Sequence, residues 1–237
     1  MRLSLRLALA LAATWAAAPA ADAAFIVQYE MFGEPGDQTS TAPTTSAAGA
    51  TGANLTRGPG LSPNIGNNSR NSAGWGGPSA DDFYSFGFDL NAGFDATVES
   101  IRFATRSSGT GPGFVNVFYS ADGGPETLLA TITQSGTAFS NNIFDLATPV
   151  EVSECFRVIL RSANNTSANG GTVGSAGTLR IGDYSPDAGQ TFDPIRIDGD
   201  VSAELTAVPE PSGLVLAGIG VAGLIGARRR RLAVTAA

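Results

Sequence analysis

The sequence predicts an all-β fold: an antiparallel two-sheet β-sandwich of jelly-roll type, flanked by an N-terminal signal helix and a C-terminal transmembrane helix. Three observations carry this expectation. From Asp82 onward, short segments alternate bulky apolar with polar residues at a period of two, and Gly, Asn, Asp and Pro separate them. No amphipathic helical stretch interrupts that series. The long apolar runs sit at the two ends of the 237 residues.

At the front, Arg2 and Arg6 precede an Ala/Leu-rich run from Leu7 to Ala18. Ala21-Asp22-Ala23 then places small residues at the two positions a signal peptidase pocket requires, so cleavage is expected after Ala23. Residues 1–23 are assigned as a signal peptide and 24–207 as one extracytoplasmic domain. "FIVQYEMF" (Phe25–Phe32) supplies its first strand. Residues 36–80 are crowded with Gly, Ser, Thr, Asn, Ala and Pro and are expected to form a long loop region. In that region Leu55, Leu61 and Trp75 are candidates to plug into the core. Trp75 is also the candidate for stacking on a sugar ring.

The strand series follows. In "FYSFGFDL" (Phe83–Leu90), Tyr84, Phe86 and Phe88 share a face. In "VESIRFATR" Ile101 and Phe103 point one way, Ser100 and Arg102 the other. "FVNVFYSAD" has Val115, Val117 and Tyr119 in register. Asp122-Gly123-Gly124-Pro125 makes a turn. "TLLATITQ", "NNIFDL", "CFRVILRS", "TLRIGDY" and "IRIDGDVSAEL" complete about nine strands. "SGTGPG" (Ser108–Gly113) is expected to be a hairpin loop.

At the other end, Ser212–Ala227 is sixteen uncharged residues followed by Arg228, Arg229, Arg230 and Arg231. A helix of that length is ~24 Å long, close to a hydrocarbon core of ~30 Å. The arginines hold the cytoplasmic side, which leaves the body facing outward. Pro209 and Pro211 keep the approach extended and out of the helix, with Glu210 between them. Pro-Glu-Pro, a short apolar helix and a terminal arginine cluster (208–231) resemble the PEP-CTERM sorting signal of Gram-negative bacteria. The resemblance implies recognition by an exosortase, a membrane cysteine protease, removal of the tail, and an association with exopolysaccharide and biofilm. The body resembles a recurring cargo type of these signals, through "GFDATVESIRFATRSSGTGPGFVNVFYSADGG", "GTLRIGDYSPDAG" and "IRIDGDV". That cargo type brings no defined activity with it.

Composition narrows the chemistry. Lysine and histidine are absent, and all 14 basic residues are arginine against 21 carboxylates. Six arginines and two carboxylates lie in the terminal segments, leaving the body 8 arginines against 19 carboxylates. Such a body is not built to bind nucleic acid, which needs clustered cations. Without histidine there is no Ser-His-Asp triad and no histidine-based zinc site. Cys155, the single cysteine, is expected to be a buried, inert thiol in a strand. Without lysine, "SGTGPG" is no phosphate loop. Asp81, Asp82, Asp183, Asp187, Asp193, Asp198 and Asp200 offer carboxylates, but no spacing singles out a glycosidase pair. "IDGDV" and "GDYSPDAG" are the candidate calcium loops, with Asp198 and Asp200 on one strand face, although no run follows the twelve-residue calcium-binding loop pattern. No cofactor is expected.

The expected function is that of a non-catalytic exported cell-surface or matrix protein. Its partners are signal peptidase and exosortase during processing, the inner membrane transiently, and exopolysaccharide afterwards. A specific carbohydrate-binding module is the alternative, and an extracellular glycan-active enzyme the third reading.

Overall fold

The computed structural model describes residues 24–134, 138–182, 184–185, 190–191 and 194–204. The segments expected as signal peptide and apolar helix, the arginine cluster, and Asp183, Asp187 and Asp193 lie outside these residues. The chain divides after Ser202 into two units, and the sandwich is the first.

Every regular element among the described residues is a strand. In chain order they are β1 (Phe25–Tyr29), β2 (Ser40–Thr41), β3 (Thr45–Ser46), β4 (Ala50–Arg57), β5 (Ser62–Pro63), β6 (Ser69–Ala73), β7 (Phe83–Leu90) and β8 (Phe94–Ser107). The second half holds β9 (Phe114–Ala121), β10 (Thr127–Thr133), β11 (Ser140–Val152), β12 (Cys155–Ser162), β13 (Thr178–Gly182), β14 (Tyr184–Ser185), β15 (Gln190–Thr191) and β16 (Ile195–Ala203). An eight-stranded sheet runs β3-β1-β16-β8-β13-β6-β5, with β11 also paired to β8. A six-stranded sheet runs β10-β9-β12-β7-β4-β2. β14 and β15 pair as a small separate hairpin.

The two sheets face each other across one core, because the apolar residues of each strand fall on the same side. Tyr84, Phe86 and Phe88 on β7, Val115 and Val117 on β9, and Phe156, Val158 and Leu160 on β12 are fully buried from one sheet. Val27 and Tyr29, Ile101 and Phe103, Leu179 and Ile181, and Ile195 and Ile197 meet them from the other. Burial of each such side chain stabilises by about 1.5–3 kcal/mol. The rings of Phe86 and Phe103 meet edge-on at 6.0 Å, and those of Tyr29 and Phe86 at 5.9 Å. Two tyrosines also bridge the sheets through their hydroxyls. Tyr29 Oη donates to the carbonyls of Ala53 (2.5 Å) and Gly87 (2.9 Å) and accepts the Gly87 N–H (3.1 Å). Tyr84 Oη donates to the Leu179 carbonyl at 2.8 Å. Burial pushes the Tyr29 hydroxyl up to about 12 and that of Tyr84 higher still, so both stay neutral donors.

Two expectations are corrected. Residues 36–80 are not a loop region, because β2 to β6 lie within them and β4 and β6 are integral strands of the two sheets. Their small residues suit tight places: a Cβ at Gly52 would meet Pro43 Cγ and Val27 Cγ2 at 2.7 Å. "SGTGPG" is not a hairpin loop, because β8 and β9 belong to different sheets and the segment carries the chain from one to the other. Among the described residues β11 is paired on one side only, to β8. Its register shifts between Asp145 and Val150, where Pro149 also removes a donor.

Candidate functional sites

Trp75 follows β6 and is fully buried. Its indole N–H donates to the Ser72 carbonyl at 2.8 Å, and its ring meets Tyr84 edge-on at 5.0 Å. No ring face is open to a sugar, so of the two roles expected for Trp75 the core plug holds and the glycan contact is corrected. Leu55 and Leu61 are buried in the same core.

The open aromatic surface lies elsewhere, on the outer face of the six-stranded sheet. Strand register lines up Leu128, Phe118, Ile159, Ser85 and Thr56 across β10, β9, β12, β7 and β4. The adjacent row is Thr131, Asn116, Arg161 and Phe83. The Arg161 guanidinium carbon lies 5.7 Å from the centroids of both Phe83 and Phe118. Glu126 holds that guanidinium by a two-armed ion pair, with Nη2 to Oε1 at 2.8 Å. The Arg161 hydrogen bond holds the Glu126 carboxyl below its usual range. Thr131 Oγ1 donates to Asn116 Oδ1 at 2.7 Å. Leu128 is 52% exposed, and Phe83 and Phe118 are half-buried. The sequence shows these residues as ordinary alternation, and only register reveals that five strands contribute to one surface.

Among the described residues the carboxylates do not gather into a group that could hold a metal ion. Asp198, fully buried, has Arg102 Nε at 2.8 Å and Arg196 Nε at 2.5 Å, and accepts the Ser100 hydroxyl at 2.8 Å. The Arg196 pair is an ion pair whose N–H does not point along a hydrogen-bond line. Asp200 beyond it is exposed. The "IDGDV" loop expected as a calcium candidate is therefore a strand whose buried carboxylate is already neutralised by arginine. Asp81 is exposed, and burial followed by the charge of Asp81 raises the Asp82 carboxyl. Among the described residues no group of three or more acids and Cys155 is placed to hold a metal ion.

A shallow acidic cleft of about 260 Å³ is lined by Asp95, Asp122, Glu151, Val152 and Ser153. Asp122, at a positive φ of 52°, spends its oxygens on the turn: Oδ1 accepts the N–H groups of Glu154 at 2.7 Å, Ser153 at 3.0 Å and Cys155 at 3.2 Å. Burial alone would raise this carboxyl, and those donors outweigh it and hold it below its usual value. Cys155 is half-buried at the start of β12, not fully buried as expected.

Pro209, Glu210, Pro211 and Arg228–Arg231, expected to serve in sorting, and Ala21 and Ala23, expected at the signal cleavage site, lie outside the described residues. Among the described residues no helix is long and apolar enough to cross a membrane.

Residues 207–231 match the family model of the PEP-CTERM protein-sorting motif. The chain carries this motif, which implies processing by exosortase; proteins bearing it are exported and sorted to the cell surface. No curated protein matches the sequence. Solved structures of family 29 carbohydrate binding modules are similar. One is 13% identical, covers 76% of this chain and 90% of its own, and has a TM-score of 0.38. A mutant complexed with mannohexaose is 14% identical, with coverages of 76% and 93% and a TM-score of 0.37. A module from Piromyces equi is 13% identical, with coverages of 78% and 94% and a TM-score of 0.35. A likeness of this size carries no ligand over to this chain.

Proposed function

We propose that this chain is a non-catalytic exported protein whose sandwich is cargo and whose tail is an address cut at the inner membrane. One observation carries the reading: a domain with its own closed core ends directly before a complete sorting motif at 207–231. The body then resides at the cell surface or in the extracellular matrix, as a structural component associated with exopolysaccharide. Mass spectrometry of the C-terminus in the native host tests it. A mature chain ending near Pro209-Glu210-Pro211, with Ser212 onward missing, is the expected result. Peptides reaching Ala237 on the mature form would sink the processed-address reading.

A second reading is favoured by the outer face of the six-stranded sheet. There Phe83, Phe118 and Leu128 offer apolar surface beside Arg161, Asn116 and Thr131, a combination suited to sugar rings and hydroxyls. The sandwich is then a carbohydrate-binding module. Affinity electrophoresis in polysaccharide gels decides. Retardation reduced about tenfold in Phe118→Ala and unchanged in Ile143→Ala, on the other sheet, supports the module. Equal mobility with and without every polysaccharide removes it.

A further inference from the structure

β11 carries an open ladder, and the hydrogen bonds behind it show which residues are left over. Thr178 and Ser108 continue the register of β13 with β8, and the Ser108 N–H donates to the Thr178 carbonyl at 2.9 Å. Backbone direction alternates along a strand, so Ala104 and Arg106 also turn their N–H and C=O groups toward β13. Ile101, Phe103 and Thr105 therefore turn theirs toward β11, where they face Phe144, Asn142 and Ser140. That leaves the N–H and C=O groups of Asn141, Ile143 and Asp145 on the far side of β11, where no strand pairs among the described residues. All three residues are exposed, Ile143 at 49%. Their side chains lie on the outer face of the larger sheet, because Phe144 between them packs against the core.

Open edges are commonly blunted by charge, proline or an irregularity. β11 carries the last two only in its second half, where the register shifts between Asp145 and Val150 and Pro149 lacks a donor. The first half, Ser140–Asp145, fits a copy of itself. With two such strands antiparallel and a twofold axis at Ile143, Ile143 meets Ile143 of the second copy. Asn141 then faces Asp145 of the second copy on both sides of the axis, an amide donor against a carboxylate. Every outward N–H and C=O of the three residues finds a partner, about six hydrogen bonds in all. Any other register leaves one of the three opposite a residue outside Ser140–Asp145, and an axis on Asp145 also opposes two carboxylates.

We propose that β11 is a dimer edge: a second copy of this chain pairs antiparallel along residues 141–145, about Ile143. The two larger sheets then run on as one continuous sheet.

The test is sedimentation equilibrium of the full chain in detergent at about 0.15 M salt, where repulsion between the acidic bodies is screened beyond about 8 Å. A monomer–dimer equilibrium is expected. Ile143→Arg, at an exposed position, should weaken it about tenfold. Asn141→Asp sets carboxylate against carboxylate and should weaken it too, and adding Asp145→Asn to that variant should restore it. A wild type that stays monomeric at its highest soluble concentration would overturn the proposal. So would a dimer indifferent to Ile143→Arg, or a double variant no tighter than Asn141→Asp alone. Should these variants not fold, Ile143→Cys in a Cys155→Ser chain decides under mild oxidation. A disulfide-linked dimer supports the pairing, and its absence removes it.

Discussion

Asp198 shows how one residue holds the outer face of the larger sheet. Its carboxylate is fully buried, and Arg102 and Arg196 close over it while Ser100 donates from β8. Removing the negative charge leaves two half-buried guanidinium groups facing each other with no anion between them. Asp198→Asn is therefore expected to cost about 3 kcal/mol, seen as a lower urea midpoint with unchanged slope. A loss below about 0.5 kcal/mol would show that solvent screens the cluster. Period-two alternation placed Asp198 on a polar face, and that much was legible. Its arginine partners were not, because Arg102 is about a hundred residues away in sequence and only strand pairing brings it near.

At the scale of elements, close approach of strands is the constraint. A Cβ at Gly87 on β7 would lie 1.9 Å from the Phe156 carbonyl on β12, and the same residue exchanges hydrogen bonds with Tyr29 from the opposite sheet. Gly87→Ala is expected to destabilise by about 3 kcal/mol through forced separation of β7 and β12, measurable as a drop in denaturant midpoint. An unchanged midpoint would mean the strands part freely. The same crowding explains what sequence patterning missed. β7, β9 and β12 are legible because Tyr, Phe, Val and Leu recur every second position. β6, Ser-Arg-Asn-Ser-Ala, is buried at every residue, yet four of its five side chains are polar. β4 is built mainly from Ala, Gly, Thr and Asn, with Leu55 as its one bulky apolar side chain. Hydropathy detects strands that fill space, and these fit where little space is left. At Trp75 the core-plug reading holds although glycines and serines surround it: its ring is fully buried against Tyr84.

On the scale of the whole molecule, the charge distribution separates address from cargo. The body is acidic, while Arg228 to Arg231 concentrate positive charge at the far end. Replacing these four arginines by glutamine is expected to remove the stop to transfer, so most precursor appears at full length outside the inner membrane. Cell fractionation with an antibody to the body reads the outcome, and unchanged membrane retention and processing would show that the arginines are dispensable. The sorting motif at 207–231 was legible as a compositional run, which needs no tertiary context.

The position of β16 gives the order in which this protein can be completed. It is the last strand among the described residues, yet it lies inside the larger sheet, between β1 and β8. A chain delivered N-terminus first therefore keeps two open ladders waiting until Ile195–Ala203 arrives. A molecule stalled short of that point exposes unpaired edges to proteases, whereas a finished one has both ladders filled. Closure of the larger sheet thus waits for Ile195–Ala203, and a product truncated before it lacks the strand that fills both ladders.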